Sequence, residues 1–184
     1  MRRIISYTFT TLNGFYKGPG GDISWNKHDT EENAFAVDSL QYGATLLFGR
    51  VTYDMMAGFW PTPAARNTMP EVAEGMNRAD KIVFSRTLSS ADWQHTRIIR
   101  DNMIDVLKQM KQEAGKDMTL LGSGSILRQL AEHGLIDEYQ IMLNPVAIGE
   151  GSSLFQGLSR PLDLRLTRSQ SFKNGNILLC YEPV

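Results

Sequence analysis

The sequence predicts an α/β domain built on a mixed sheet, and three observations carry that reading. Short apolar, β-rich runs alternate with amphipathic segments through the middle of the chain. The run Ala44-Thr-Leu-Leu-Phe-Gly-Arg50 is continuously apolar until its glycine, the pattern of a strand buried on both faces of a parallel sheet. The chain then finishes in two β-rich segments joined through Lys173-Asn174-Gly175-Asn176, and Asn-Gly is a strong hairpin signal.

Each element follows from local chemistry. Arg3 to Thr10 is β-rich and forms the opening strand. Leu12 to Asp29, rich in Gly, Asn and Pro, is a long loop of the kind that serves as a lid or binding segment. A helix follows from Thr30 to Tyr42: Thr30 caps it, Glu31 and Glu32 suit its positive end, and Ala34, Val37, Leu40 and Gln41 form a partial apolar face. Val51 to Trp60 reads as a short helix stopped near Gly58 and Pro61, and another helix spans about Glu71 to Asn77. Lys81-Ile-Val-Phe-Ser-Arg86 is a second buried strand, and Trp93 to Ile99 an edge strand. Met103, Val106, Leu107 and Met110 share one face of a helix ending near Gly115. Met118 to Gly122 is a strand, Gly-Ser-Gly-Ser at 122–125 opens the next helix, and segments from Ile136, Leu162 and Asn176 supply the last strands. No repeat, low-complexity tract or linker interrupts this order, so residues 1–184 read as a single domain.

Composition narrows the function classes. The chain is 42% hydrophobic and 21% charged, as in soluble globular proteins. A net charge of -1 argues against a protein built to grip nucleic acid, which needs a basic excess to displace counterions. No apolar run is long enough to cross a bilayer, and the amino terminus lacks the features of a secretory signal. Cys180 is the sole cysteine, so no internal disulfide forms, and a cytoplasmic location is the expectation. His28, His95 and His133 lack metal-ligand spacing; they read as surface histidines, and no metal site is expected. Cys180, inside an apolar strand, reads as core.

Three strand ends stand out together: Gly49 to Tyr53, Phe84 to Leu88 and Leu121 to Leu127. In an open α/β sheet the carboxyl ends of neighbouring strands form the crevice where ligands bind. Glycines let a ligand approach backbone, helix-start amides suit phosphate, and Arg50 and Arg86 add forked positive charge. Together these fit a pyrophosphate cofactor carrying an extra phosphate. Taken singly, a helix-start turn explains Gly122–Ile126 as well, and that segment is neither a P-loop nor a full Rossmann fingerprint. No G-x-S-x-G elbow makes Ser123 or Ser125 a hydrolase nucleophile.

These residues carry a resemblance. Thr10-Thr-Leu-Asn-Gly-Phe-Tyr-Lys-Gly-Pro-Gly-Gly-Asp-Ile-Ser-Trp25, Gly49-Arg-Val-Thr-Tyr-Asp-Met-Met56, Lys81 to Leu88 and Leu120 to Phe155 are similar, in order, to the dihydrofolate-reductase-like group. The likeness is greatest to the reductase domain of the riboflavin-biosynthesis deaminase-reductase and its stand-alone relatives. It implies a three-layer fold with a mixed, mostly parallel central sheet and a C-terminal antiparallel hairpin. It also implies an NADPH-dependent reductase acting on a small heterocyclic or ribosylated substrate, as 5-amino-6-(5-phosphoribosylamino)uracil reductase does, and a homodimer. Gly49, Arg50 and Thr52 would serve the cofactor phosphates, Ser85 and Arg86 the adenosine phosphate, and Gly122, Ser123, Gly124, Ser125 and Ile126 the pyrophosphate. Thr11, Asn13, Gly14, Trp25 and Glu32 fall on the substrate side.

One departure stands out. Riboflavin reductases carry aspartate where this chain has Asn13, and an amide does not titrate. Asp29, Glu31 and Glu32 lie where dihydrofolate reductases place a carboxylate that assists protonation; helix-start electrostatics explains the same residues. The catalytic acid is therefore unassigned. The competing reading is a noncatalytic nucleotide-binding or regulatory homodimer that kept the cofactor cleft.

Overall fold

The computed structural model describes residues 1–28, 30–41 and 44–184. Among them the chain forms β1 (Ile4–Thr11), β2 (Phe15–Lys17), α1 (Thr30–Gln41), β3 (Thr45–Gly49), α2 (Arg50–Phe59), α3 (Pro63–Thr68) and α4 (Pro70–Arg78). There follow β4 (Lys81–Phe84), β5 (Thr96–Ile99), α5 (Met103–Gln112), β6 (Met118–Leu121), α6 (Gly124–Glu132), β7 (Glu138–Asn144), β8 (Ser152–Ser153), β9 (Leu164–Ser171) and β10 (Ile177–Pro183).

The main sheet has the order β5-β4-β3-β6-β1-β7-β10-β9. From β5 to β7 every neighbouring pair is parallel, and β10 runs antiparallel to both β7 and β9. This is the mixed, mostly parallel sheet with a terminal hairpin that the sequence predicts. Helices cover both faces. Leu46 and Phe48 of β3 and Val83 of β4 pack with Tyr53 of α2 and Val72 and Met76 of α4. Leu47, Ile82, Phe84, Met118 and Leu120 point the other way, onto Leu107 of α5 and Leu127 and Leu130 of α6. Every residue of β3 is buried, which is why its sequence does not alternate. A smaller cluster of Met142, Phe172, Leu178 and Cys180 packs with Tyr7, Phe9 and Phe35. Cys180 is core, and burial pushes its thiol up.

Several local expectations need correcting. The long loop after β1 contains a strand, β2, and a single 3-10 turn over Pro19–Gly21. The partner of β2 is β8, more than 130 residues away, so no local pattern announces it. Thr30 is already helical rather than the cap before the helix, and Tyr42 at the expected helix end lies outside the described residues. The helix α2 ends at Phe59, between Gly58 and Pro61 as expected, and a further helix, α3, follows it. Pro63 and Pro70 each begin a new helix, where a missing N–H costs nothing, and Thr62 caps the first by accepting from the Ala65 amide at 3.3 Å. The edge strand starts at Thr96 because Trp93 turns into the core, its Nε1–H donating to Asn77 Oδ1 at 2.7 Å. Among the described residues no helix is long and apolar enough to cross a membrane.

Lys81, at the head of β4, is only 1% exposed. Its ammonium donates to the carbonyls of Met76, Asn77 and Ala79 at 2.9, 3.1 and 2.6 Å, at the end of α4, and lies 4.5 Å from the Trp93 ring centre. Burial pushes Lys81 down to about 8 from its ordinary 10.5. Between those values the unfolded chain holds the proton and the folded protein releases it, so this residue adds stability as pH rises through that window. Lys81→Met removes the effect. In urea melts the stability of the wild type minus that of the variant grows from pH 7 to pH 10; a difference that shrinks contradicts this account.

Candidate functional site

The centre of the site is the place where β3 and β6, neighbours in the sheet, each turn into a helix. Gly122 (φ +56) and Ser123 (φ 58, ψ 63) are both left-handed, which reverses the chain sharply enough to start α6 at Gly124. The turn carries the Ser123 hydroxyl back across the gap. It accepts from the Gly49 amide at 2.7 Å and donates to Thr52 Oγ1 at 2.9 Å, in the first turn of α2. A side chain at Gly49 would put Cβ 2.9 Å from that hydroxyl and 3.2 Å from Ile126, so this strand end must be glycine.

Two helix starts thus face the same edge of the sheet, and neither carries a side-chain cap. First-turn amides have no intrahelical acceptor, and two positive helix ends side by side form a cradle for an anion such as a diphosphate. The structure brings Gly49, Arg50, Thr52, Gly122, Ser123, Gly124 and Ser125 to this edge. Ile126 is also here, but its side chain is in the core and its amide donates to the Ser123 carbonyl at 2.9 Å. Ser85 and Arg86 follow β4, the strand next to β3. The Ser85 hydroxyl accepts from the amides of Thr87 and Leu88, holding the turn, and Arg86 is exposed. Arg50 is half-exposed and pairs with Asp54 at 3.0 Å.

The β2 strap lies over this edge. Tyr16 sits on Gly124 so closely that a Cβ there would be 2.6 Å from the ring carbon Cζ. Gly151 presses on the Lys17 carbonyl and the Phe15 ring, where a side chain would clash. Beside the strap opens a cavity of about 580 Å³ lined by Lys17, Gly20, Val51, Glu150 and Ser152, among others. Tyr16 is the contact that the sequence analysis missed; its only signal was an aromatic inside a glycine-rich segment.

On the other side of β1, Thr11 is fully buried. Its hydroxyl donates to Asn13 Oδ1 at 2.8 Å and accepts from the Phe15 amide at 3.0 Å. Asn13 clasps Ile148, donating to its carbonyl at 2.8 Å and accepting from its amide at 3.3 Å. Gly14 (φ +83) completes the turn and accepts from the Leu154 amide at 3.1 Å. Trp25 donates through Nε1 to the Asp22 carbonyl at 3.2 Å. Glu32 is 2% exposed: Oε2 accepts from Asn174 and Asn176 at 3.0 and 2.9 Å, and Oε1 lies 3.2 Å from His28 Nδ1. Lys27 links the group to the sheet, its amide donating to Asn144 Oδ1 at 3.3 Å and its carbonyl accepting from Asn176 at 2.8 Å. Asn144, Asn174 and Asn176 are functional candidates that sequence reasoning passed over, because Asn-Gly in the hairpin is fully explained as a turn. Among the described residues no cluster of His, Cys, Asp or Glu is placed to hold a metal ion.

Comparison with known proteins agrees with this architecture. The family model described as the RibD C-terminal domain matches residues 2–178. The chain is 31% identical over 180 residues to the uncharacterized protein YyaP of Bacillus subtilis (strain 168), covering 98% of this chain and 94% of that one. Among solved structures, a Shewanella sp. PV-4 protein named for riboflavin biosynthesis superposes with a TM-score of 0.75 at 20% identity, over 99% of both chains. The Thermotoga maritima diaminohydroxyphosphoribosylaminopyrimidine deaminase/5-amino-6-(5-phosphoribosylamino)uracil reductase gives 0.70 at 13% identity, over all of this chain and 57% of that one. Dihydrofolate reductase from Enterococcus faecalis, complexed with NADP(H), gives 0.64 at 13% identity over 98% and 96%. The fold is that of the dihydrofolate reductases.

The Ser123 tie has a measurable consequence. Ser123→Ala leaves the amide of the buried Gly49 without its acceptor, a loss of about 1–3 kcal/mol. Urea denaturation of the variant against wild type checks it, and a change within about 0.5 kcal/mol, the range of ordinary surface substitutions, refutes the tie.

Proposed function

The chain belongs to the RibD C-terminal domain family, and from that premise we propose that it is an NADPH-dependent reductase of a small heterocyclic or ribosylated substrate, the closest analogy being an aminopyrimidine ribosylamine. The observation that carries the proposal is the pair of uncapped helix starts held together by the Ser123 hydroxyl, at strand ends where Gly49 admits no side chain. The amides of Arg50 and of Ser123 to Ser125 hold the diphosphate. Thr52 fixes the cradle through Ser123, while Ser85 and Arg86, one strand further along, take the adenosine end with its extra phosphate. When bound, NADPH supplies a hydride.

The protein's own residues orient and enclose. The β2 strap with Tyr16 covers the edge and keeps water from the substrate. Thr11, Asn13 and Gly14 set the floor, their polar groups spent on one another and on the loop at Ile148. The clasp also supports the second reading, a nucleotide-binding protein without turnover, since Asn13 does not titrate and its Oδ1 and one N–H are taken up by Thr11 and Ile148.

A thermal-shift assay separates the two cofactors by linkage. NADPH raises the melting temperature more than NADH does, and Arg86→Ala weakens NADPH by about tenfold or more, as for a lost charged hydrogen bond, with little change for NADH. Equal losses for both cofactors remove Arg86 from the phosphate, and no shift with either cofactor removes the reductase proposal.

A further inference from the structure

We propose that His28 delivers the proton of the reduction and that Glu32 is its positioning residue; this rests on the reductase reading above. Residues 26–28 lie across the tips of β1, β7 and β10. Lys27 is bonded to Asn144 and Asn176, and the His28 ring stands edge-on to Phe9 of β1, with 5.1 Å between centres. β1 separates this group from the cradle strand β6, so His28 stands about two strand spacings, ~10 Å, along the tips from the phosphate cradle. A substrate lying over β1 therefore has the cradle on one side and His28 on the other.

Glu32 is poorly placed to donate by itself. It is 2% exposed, and its oxygens are engaged by His28, Asn174 and Asn176. The His28 side chain is 42% exposed. A carboxylate against Nδ1 fixes the proton there and leaves Nε2 as the nitrogen that exchanges. Asn26 meets that nitrogen: its Nδ2 lies 3.2 Å from Nε2, while its Oδ1 is buried without a hydrogen-bond partner among the described residues. The amide donates to neutral Nε2 in the arrangement observed. A ring nitrogen has a single in-plane bonding direction, so a substrate nitrogen that reaches Nε2 takes the place of this amide.

In the reduction, the substrate carbon of a C=N bond takes the hydride and the bond's electron pair moves to nitrogen. That nitrogen takes the proton from His28 Nε2. His28 is left neutral with Nδ1–H still on Glu32, and water recharges it through its exposed edge. NADPH supplies both electrons and is oxidised. Among the described residues the other charges nearby are Glu31, which pairs with Lys173 at 3.5 Å, and Lys27 in the adjoining position; Asp29, next to His28 in the sequence, lies outside the described residues. Below, Tyr7 stays a neutral phenol, pushed far up by burial and by the charge of Glu32.

Ring-nitrogen NMR and kinetics on the full-length protein test the proposal. The spectra of wild type show neutral His28 protonated on Nδ1, and Glu32→Gln shifts the ring toward the Nε2–H form. With NADPH and 5-amino-6-(5-phosphoribosylamino)uracil as the probe, His28→Asn, a change at an exposed side chain, lowers kcat at pH 7 by about 10²-fold or more and leaves KM within about threefold. A neutral wild-type ring protonated on Nε2 overturns the positioning role of Glu32, and a His28→Asn variant with the wild-type rate overturns the proton role, each while leaving the reductase reading in place. A wild type that consumes no NADPH with this probe overturns the reductase reading and the proton role together.

Discussion

One hydroxyl joins the two halves of the edge on which the proposed chemistry depends. Ser123 Oγ reaches from the turn after β6 to the backbone of β3 and the first turn of α2, so both helix starts are fixed relative to each other. Its position requires two consecutive left-handed residues, of which only Gly122 is indifferent to that conformation. Holding Ser123 there costs about 1–2 kcal/mol, offset by its two hydrogen bonds and by the helix it begins. Gly49 meets the same constraint from the other side, since the hydroxyl occupies the space a Cβ would need. Chains that differ at Gly49, Gly122 or Ser123 cannot build this edge in the same form.

The sheet then acts as a ruler. Passing from β4 through β3 and β6 to β1 and β7, the tips present Ser85 and Arg86, the paired helix starts, the Thr11–Gly14 turn, and finally His28 with Glu32. The two uncapped helix starts and Arg86 lie on the first half of that line, in a chain whose net charge is -1. The one buried carboxylate described there, Glu32, sits at the far end inside a ring of asparagine amides. Separating an anion cradle from a buried carboxylate by β1 lets both exist within one cleft without electrostatic conflict. The β2 strap lies over the edge, held by backbone pairing to β8 and by glycines that accept close packing.

Much of this was legible in the sequence because it is written locally. Continuous burial of β3, the helical period of Met103 to Met110 and the Asn-Gly hairpin are all properties of a dozen residues or fewer, and each appears where expected. Glycines after buried strands marked the cradle for the same reason. What stayed hidden depends on pairs remote in the chain. The strand at Phe15–Lys17 exists because Ser152 and Ser153 come alongside it. Tyr16 matters because Gly124 lacks a side chain, and Glu32 is buried because Asn174 and Asn176 reach it from the hairpin. His28 looked like an isolated surface histidine, yet its partner Glu32 lies four residues along. Asn13 reads as a missing acid in the sequence; in the structure it is a clasp on Ile148.

A crystal structure of the protein with NADP⁺ tests the central claim most directly. The account places the diphosphate between Arg50 and Ser123–Ser125, accepting hydrogen bonds from both helix starts, with the Ser123–Gly49–Thr52 tie intact and Tyr16 against or just lifted from the ligand. A dinucleotide bound away from this edge, or a cradle whose two helix starts separate when the ligand arrives, would contradict it.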